Sequence, residues 1–97
     1  MASMYSDVHI HAQRRATRAL LKFCEDHNYK NRDMAHIRKC LDALVAGNVD
    51  DAVSNYKKVP RGGKGCFNDW FPPVIFARDT KEYVWSVFEA LVAQWSI

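Results

Sequence analysis

The chain has 97 residues, 48% of them hydrophobic and 26% charged, and its formal net charge is +3. These values predict one globular domain over residues 1–97, exclude a disordered chain, and fall well short of a dedicated nucleic-acid binder. No apolar run approaches the roughly 18 residues of a membrane span, no signal peptide is visible, and three scattered cysteines exclude a disulfide framework. We therefore expect a cytoplasmic protein without membrane contact. Residues 1–5 are expected to be a flexible N-terminus, and positions 1–3 fit a cloning remnant.

Two amphipathic helices are predicted in the first half of the chain. The first covers residues 6–27 and is capped by Ser6 or Asp7, and the second begins at a capping Asn31 and ends at Gly47. Spacings of three and four assign the buried face of the first helix to Ala12, Ala16, Ala19, Leu20 and Phe23. The same rule assigns the buried face of the second helix to Met34, Ile37, Leu41, Leu44 and Val45.

A shorter third helix is predicted from Val49 to Val59. Acidic residues near its start and lysines near its end complement the helix dipole, and Pro60 stops it. The stretch LVAGNVDDAVSNYKKV, residues 44–59, resembles the helix-turn-helix joint of tetratricopeptide repeats. Because this joint does not recur, the resemblance implies an antiparallel helix pair and not a solenoid.

The last helix follows a segment that cannot be helical. Two prolines in FPPVIF, residues 71–76, predict an extended conformation. Asp79 or Thr80 then caps a helix whose predicted buried stripe is Val84, Val87, Phe88, Leu91 and Trp95. Trp85 and Val92 lie on a neighbouring face, so this helix must be covered from more than one side. The predicted fold class is therefore all-α: four helices with an ordered Gly/aromatic loop and a Pro-rich extended segment before the last helix.

The stretch RGGKGCFNDWFPP, residues 61–73, concentrates glycines next to aromatic rings. It is not a Walker A loop, because a glycine stands where that motif needs a hydroxyl residue and the preceding segment is not a strand. Two interpretations of its glycines stay open. They form an anion-binding nest assisted by Arg61 and Lys64, or they simply allow the positive φ angles of a tight turn.

Four aromatic residues are expected to fold back over the helices, because so many rings are costly to leave in water: Phe67, Trp70, Phe71 and Phe76. Phe67 and Phe71 are predicted to be core plugs. Trp70 is expected at the edge, where an exposed tryptophan suits contact with a partner.

The pattern Gly-Gly-x-Gly-x-Phe-Asn-Asp, Gly62 to Asp69, is preceded by helices and followed by an aromatic residue. It resembles a pattern in small uncharacterised bacterial proteins that are grouped as domains of unknown function. The resemblance implies a bacterial or phage source and a mainly helical fold. It implies no activity, so it identifies no catalytic residue.

Two Cys–His pairs have spacings that suit metal ligands. Cys24-x-x-His27 and His36-x-x-x-Cys40 each span one helical turn and flank the first interhelical turn, an arrangement that could hold zinc. The competing interpretation is that both cysteines are small buried hydrophobes. We favour it because His36 lies far from the predicted buried stripe of its helix. No cofactor or metal is therefore expected.

A non-enzymatic protein is expected, since the local sequence shows no Ser–His–acid or Cys–His arrangement. An enzymatic interpretation would depend on Cys66, whose pKa the nearby Lys64 would lower, or on Asp69 with Arg61. Neither combination is specific to one chemistry.

Basic residues form two clusters that no acid interrupts. The first cluster consists of Arg14, Arg15, Arg18 and Lys22. The second consists of Lys57, Lys58, Arg61 and Lys64. If both met on one face they would bind phosphate groups, with Trp70 available for stacking. The alternative is an ordinary solvated face, which the modest net charge favours.

These patterns predict a small module that binds another protein or a second copy of itself, as a two-fold homodimer, through the Gly/aromatic loop and the last helix. The predicted contact residues are Arg61, Lys64, Phe67, Trp70, Phe71 and Trp85. Binding of nucleic acid or an anionic ligand through the two basic clusters is the alternative function.

Overall fold

The computed structural model describes residues 7–29, 32–59, 67 and 70–96. Within these ranges the chain forms the helices α1 (Asp7–Asp26), α2 (Asp33–Ala46), α3 (Val49–Lys57) and α4 (Lys81–Gln94). The described ranges contain no strand, which confirms the predicted all-α class. None of these helices is long and apolar enough to cross a lipid bilayer.

The helices enclose one apolar core. α1 packs against both α2 and α4, and α3 packs against α2. The largest apolar side chains that this packing removes completely from water are Leu20, Ile37, Leu44, Phe67, Val84, Phe88 and Trp95. Each such burial contributes about 1.5–3 kcal/mol. The core therefore draws on every helix, with α3 contributing the small buried Ala52, and on the ring of Phe67 from the connection before α4.

The turn between α2 and α3 is short and capped on both sides. Gly47 ends α2 in the left-handed region, with φ of 79°, and its amide donates to the carbonyls of Ala43 and Leu44. This is the predicted C-cap, and only glycine adopts that conformation without cost. Asn48 begins α3 by accepting a hydrogen bond from the Asp51 amide at 3.1 Å. The helix pair predicted from the repeat-like stretch is confirmed.

The N-terminal caps follow the sequence only in part. The Thr80 hydroxyl oxygen accepts a hydrogen bond from the Tyr83 amide at 3.1 Å, so one of the two predicted caps of α4 is confirmed. α2 has Arg32 at its N-cap and no side-chain cap bond. Asn31, the predicted cap of this helix, lies outside the described residues, as does Ser6.

The buried faces of α1 and α2 are rotated relative to the prediction. In α1 the predicted core positions Ala12 and Ala19 are exposed. The residues that α1 buries are Gln13, Ala16, Thr17, Leu20, Leu21 and Cys24. In α2 the predicted Val45 is exposed. In α1, polar residues take inward positions: the Thr17 hydroxyl donates to the Gln13 carbonyl at 2.6 Å, which satisfies it inside the core.

The end of α4 is fixed to the start of α1 by one amide side chain. Gln13 Nε2 donates to the carbonyl of Gln94 at 3.1 Å, and Gln13 Oε1 accepts from the amide of Ser96 at 2.9 Å. The Gln94 carbonyl is one of the groups that the end of a helix leaves open, and the Ser96 amide follows directly after the helix. Trp95 stands between them, fully buried, with its ring 4.8 Å from that of Tyr56. The predicted stripe of α4 is thereby confirmed down to its last residue.

Candidate protein-binding surface

The buried aromatic residues form one group, which we call the inner ring cluster. Its members are Tyr29, Phe67, Trp70, Phe88 and Trp95. Phe67 lies at the centre, with its ring 5.4 Å from Tyr29, 5.3 Å from Phe88 and 6.3 Å from Trp95, all edge to face. Such pairs add about 0.5–1.5 kcal/mol each to the burial itself. Phe67 is a core plug, as the sequence predicts.

Trp70 covers this cluster and does not stand free. Its ring lies 4.6 Å from Tyr29 and 5.1 Å from Phe88. Its amide donates to the carbonyl of Phe67 at 3.2 Å, so the two residues belong to one turn. A residue that is 1% exposed, as Phe67 is, has no surface to offer a partner. Phe67 is therefore wrong as a contact residue, and Trp70 supports the core more than it extends from it.

Tyr29 ties this cluster to the start of α2. Its hydroxyl donates to Asp33 Oδ2 at 3.1 Å, and both residues are buried. Burial raises the pKa of Tyr29 above its ordinary value, and the neighbouring Asp33 carboxylate raises it further. The side chain of Tyr29 therefore stays a neutral phenol in the folded chain.

A second apolar group lies on the outside, and we call it the outer apolar surface. Its members are Phe71, Val74, Ile75, Phe76 and Trp85. Phe71 is 71% exposed, so the prediction that it plugs the core is wrong. Trp70 and the buried Pro72 occupy the inward positions on either side of it. Burial therefore alternates over residues 70–72, and Phe71 is the member that points outward.

The outer apolar surface is built on two elements that meet at Phe71 and Trp85. The two rings lie 5.9 Å apart at an angle of 34°. Beside them is a groove with a volume of about 540 Å³. It is lined by Phe71, Pro72, Pro73, Val74, Lys81, Glu82 and Trp85. The groove therefore has an apolar floor and one pair of opposite charges, contributed by the first turn of α4.

The far end of the outer apolar surface is anchored on a buried histidine. Phe76 lies edge-on to His27, with ring centroids 5.8 Å apart. His27 stacks on Phe23 at 4.0 Å, and its Nδ1 lies 2.8 Å from the carbonyl oxygen of Phe23. The imidazole thus belongs to the apolar packing of α1. Phe76 is 51% exposed and held in place on its other side.

The four residues with metal-like spacing do not assemble a metal site. Among the described residues no group of three or more His, Cys, Asp or Glu side chains could hold a metal ion. Both thiols lie in the core. Burial, with a smaller contribution from Glu25, raises the pKa of Cys24 to about 12, and burial raises that of Cys40 to about 11. Both cysteines are fully buried, which fits the buried-hydrophobe interpretation.

The first basic cluster is only partly free in solvent. Arg15, Arg18 and Lys22 are exposed, and Arg14 is half-buried. Lys22 forms an ion pair with Asp26 at 3.4 Å, one helical turn away. Such exposed pairs contribute little to stability, yet they offset positive charge that a phosphate would need.

The two described members of the second basic cluster, Lys57 and Lys58, lie at the end of α3. Lys57 and Lys58 are exposed, but α3 packs on α2, whereas the first cluster lies on α1. Lys58 also borders a polar groove between α2 and α3 that contains Asp42 and Asp51. Phosphate binding through these clusters stays a prediction.

Several predicted residues lie outside the described part of the chain. These are Arg61, Lys64, Cys66 and Asp69, together with the glycines of the loop. The anion nest, the reactive thiol and the predicted contacts of Arg61 and Lys64 therefore stay predictions. Of the predicted contact residues, Phe71 and Trp85 lie together on the outside.

Sequence reasoning missed three members of the outer apolar surface: Val74, Ile75 and Phe76. The signal for their exposure is in the run FPPVIF. Its prolines prevent a helix, so its apolar residues cannot be buried as the stripe of an amphipathic helix.

A comparison of the chain with protein-family models, curated proteins and solved structures found no match. The resemblance to bacterial domains of unknown function, and the bacterial or phage source that it implies, stay predictions.

Proposed function

We propose that this chain is a non-enzymatic protein-binding module and that its contact site is the outer apolar surface. One observation carries the proposal. Phe71 and Trp85 pack ring against ring while 71% and 43% of their respective surfaces face water. Aromatic residues of this kind dominate the energetics of protein interfaces, where a partner chain removes the water.

The clustering of the exposed residues supports this function more strongly than their number. Single exposed hydrophobic residues are ordinary on any protein, whereas a contiguous patch marks an interaction site. Here five apolar side chains occupy one segment and the adjoining flank of α4. Taking roughly 200 Å² for a whole aromatic side chain, the three rings alone leave roughly 300 Å² of aromatic surface in water.

The rings of this surface are already held in position. Phe71 rests on Trp85, and Phe76 rests on the buried His27. Immobilising a free side chain on binding costs about 0.5–1.5 kcal/mol. A partner that docks on these rings avoids part of that cost, which favours a binding role for them.

The chemistry of the described thiols also supports a non-enzymatic role. A cysteine nucleophile needs a lowered pKa, an accessible sulfur and a nearby base. Cys24 and Cys40 are both fully buried, and their pKa values are raised to about 12 and about 11. These two cysteines are therefore structural.

Site-specific photo-crosslinking tests the proposed function. A photoreactive residue placed at Ile75, inside the outer apolar surface, is compared with one at Val45, an exposed residue of α2 that lies outside it. In cells that express the chain, we expect position 75 to give defined crosslinked products and position 45 to give none. The products should disappear when Trp85→Ser is added. Equal crosslinking from both positions, or none from position 75, would overturn the proposal.

A further inference from the structure

The outer apolar surface has the properties of an interface that is complementary to a second copy of itself. This inference rests on the proposed function. A two-fold dimer uses the same patch on both protomers, so the patch must complement its own copy. Here Val74 lines the groove of about 540 Å³, and the next two residues of the chain, Ile75 and Phe76, are exposed and do not line it. One patch thus contains both a concave part and apolar side chains of a size to enter it.

The charges at this surface are balanced, although the chain as a whole is basic. Arg78, Asp79, Lys81 and Glu82 follow the proline segment and lead into α4, two of them positive and two negative. Lys81 and Glu82 both line the groove. A strongly acidic or basic partner would be matched by a rim of one sign. A balanced rim instead matches its own copy, because a two-fold rotation can place each lysine opposite the other protomer's glutamate.

The size of the surface agrees with such a dimer. A standard interface buries roughly 800 Å² on each protomer. The three exposed rings supply over a third of that area, and Val74, Ile75 and the charged rim supply further contact. We propose that the occupant of the outer apolar surface is a second copy of this chain, related by a two-fold axis, with Lys81 of each protomer facing the partner's Glu82.

Sedimentation equilibrium of the purified full chain gives the first test. The wild type is expected to be a dimer, and Trp85→Ser is expected to be a monomer with an unchanged circular dichroism spectrum. The matched control is Tyr83→Ser, which removes an exposed ring of α4 two residues away, on the opposite flank of that helix. This variant should remain a dimer. A monomeric wild type, or dimers that survive Trp85→Ser, would overturn the inference.

Charge exchange tests the two-fold register. Lys81→Glu gives a chain with two acids at positions 81 and 82, and Glu82→Lys gives a chain with two lysines. Each variant alone should associate more weakly than the wild type, because like charges would face each other. Mixed together, with one variant labelled with ¹⁵N, they should form heterodimers in excess of the statistical share by native mass spectrometry. A statistical mixture would refute the Lys81–Glu82 pairing and with it the proposed register.

The two proposals fail in different ways. If position 75 crosslinks to a different protein while the purified chain sediments as a monomer, the second copy is excluded and the binding function stands. If position 75 gives no crosslinks and the chain is a monomer, both proposals fall. Crosslinks between two copies of the chain, together with a dimeric wild type, support both.

Discussion

Phe67 and Phe71 are the same residue type and lie four positions apart, but one is buried and the other is exposed to solvent. Phe67 sits at the centre of the inner ring cluster, whereas Phe71 lies on the outer apolar surface against Trp85. The difference is a matter of backbone direction. Trp70 closes a turn with Phe67 and faces inward, and the prolines that follow keep the chain from forming a helix that would bring Phe71 back. Hydrophobicity alone does not determine which ring is core and which is surface.

The largest effect expected from this comparison is on stability. Phe67→Ala should lower the free energy of unfolding by about 3–5 kcal/mol, because it removes a fully buried ring and leaves a cavity. At a protein concentration where the chain is monomeric, the same substitution at Phe71 should cost only about 1 kcal/mol or less, because that ring is 71% exposed and mainly contacts Trp85. Urea denaturation monitored by circular dichroism measures both. Equal losses at the two positions would mean that Phe71 is not on the surface.

Alkaline pH should weaken the core through its buried thiols. Cys24 and Cys40 stay protonated in the folded chain, with pKa values of about 12 and about 11, at a pH where the unfolded chain ionises them near 9.0. Their contribution is fully present below pH 9.0 and is lost as the pH rises through about 11 for Cys40 and about 12 for Cys24. Each thiol should lower the free energy of unfolding by up to about 1.4 kcal/mol per pH unit in that window.

The urea midpoint, followed from neutral pH to the alkaline range in a Cys66→Ser background, measures this loss. In that background only the two described cysteines contribute thiols. Cys40→Ala should make the decline shallower than in the parent chain. A midpoint that stays constant above pH 9.0 would contradict the raised thiol pKa values.

Trp70 stands between the two groups of rings, and its substitution sharpens the comparison. Because it is half-buried on Tyr29 and Phe88, Trp70→Ala should lower the free energy of unfolding by about 2 kcal/mol, less than a fully buried ring. Sedimentation of the folded variant should still show the association that Trp85→Ser abolishes. Loss of association with full stability would instead place Trp70 in the contact surface, as the sequence suggests.

A smaller effect is expected where Gln13 holds the end of α4. Gln13→Ala should cost about 1–2 kcal/mol, since two backbone groups lose their partners beside the buried Trp95. Hydrogen exchange should become faster at Ser96, whose amide donates to Gln13. Gln13→Glu is the informative companion, because its carboxylate still accepts from Ser96 but cannot donate to the carbonyl of Gln94. An unchanged rate of hydrogen exchange at Ser96 in both variants would contradict the two hydrogen bonds of the Gln13 side chain.

The architecture was accessible from the sequence because its signals are local. Gly47 ends α2 and Thr80 caps the start of α4, as the sequence predicts. The apolar stripe of α4 is the one that its spacing indicates. The faces of α1 and α2 were less accessible. The Thr17 hydroxyl is satisfied one turn earlier by the Gln13 carbonyl, whereas the buried Gln13 side chain finds its partners at Gln94 and Ser96, far along the chain.

The candidate site was accessible only in part for a related reason. Trp85 lies outside the apolar stripe of α4, so its exposure follows from the helical period. Phe71 was assigned to the core because rings are usually buried. The alternation that turns it outward depends on Trp70 packing against Tyr29 and Phe88, a tertiary contact that no local pattern contains.

The hydrogen bonds of Gln13 join residues that are 81 and 83 positions apart, and this span has a kinetic consequence. Contacts within the α1–α2–α3 region are close in sequence, so they can form without closing a long loop. α4 can dock on α1 only when a long loop closes. The entropic cost of closing that loop comes before any contact stabilises the docked helix. We therefore expect the docking of α4 to limit the rate of folding. Trp95, which directly follows α4, should be the last residue to be buried.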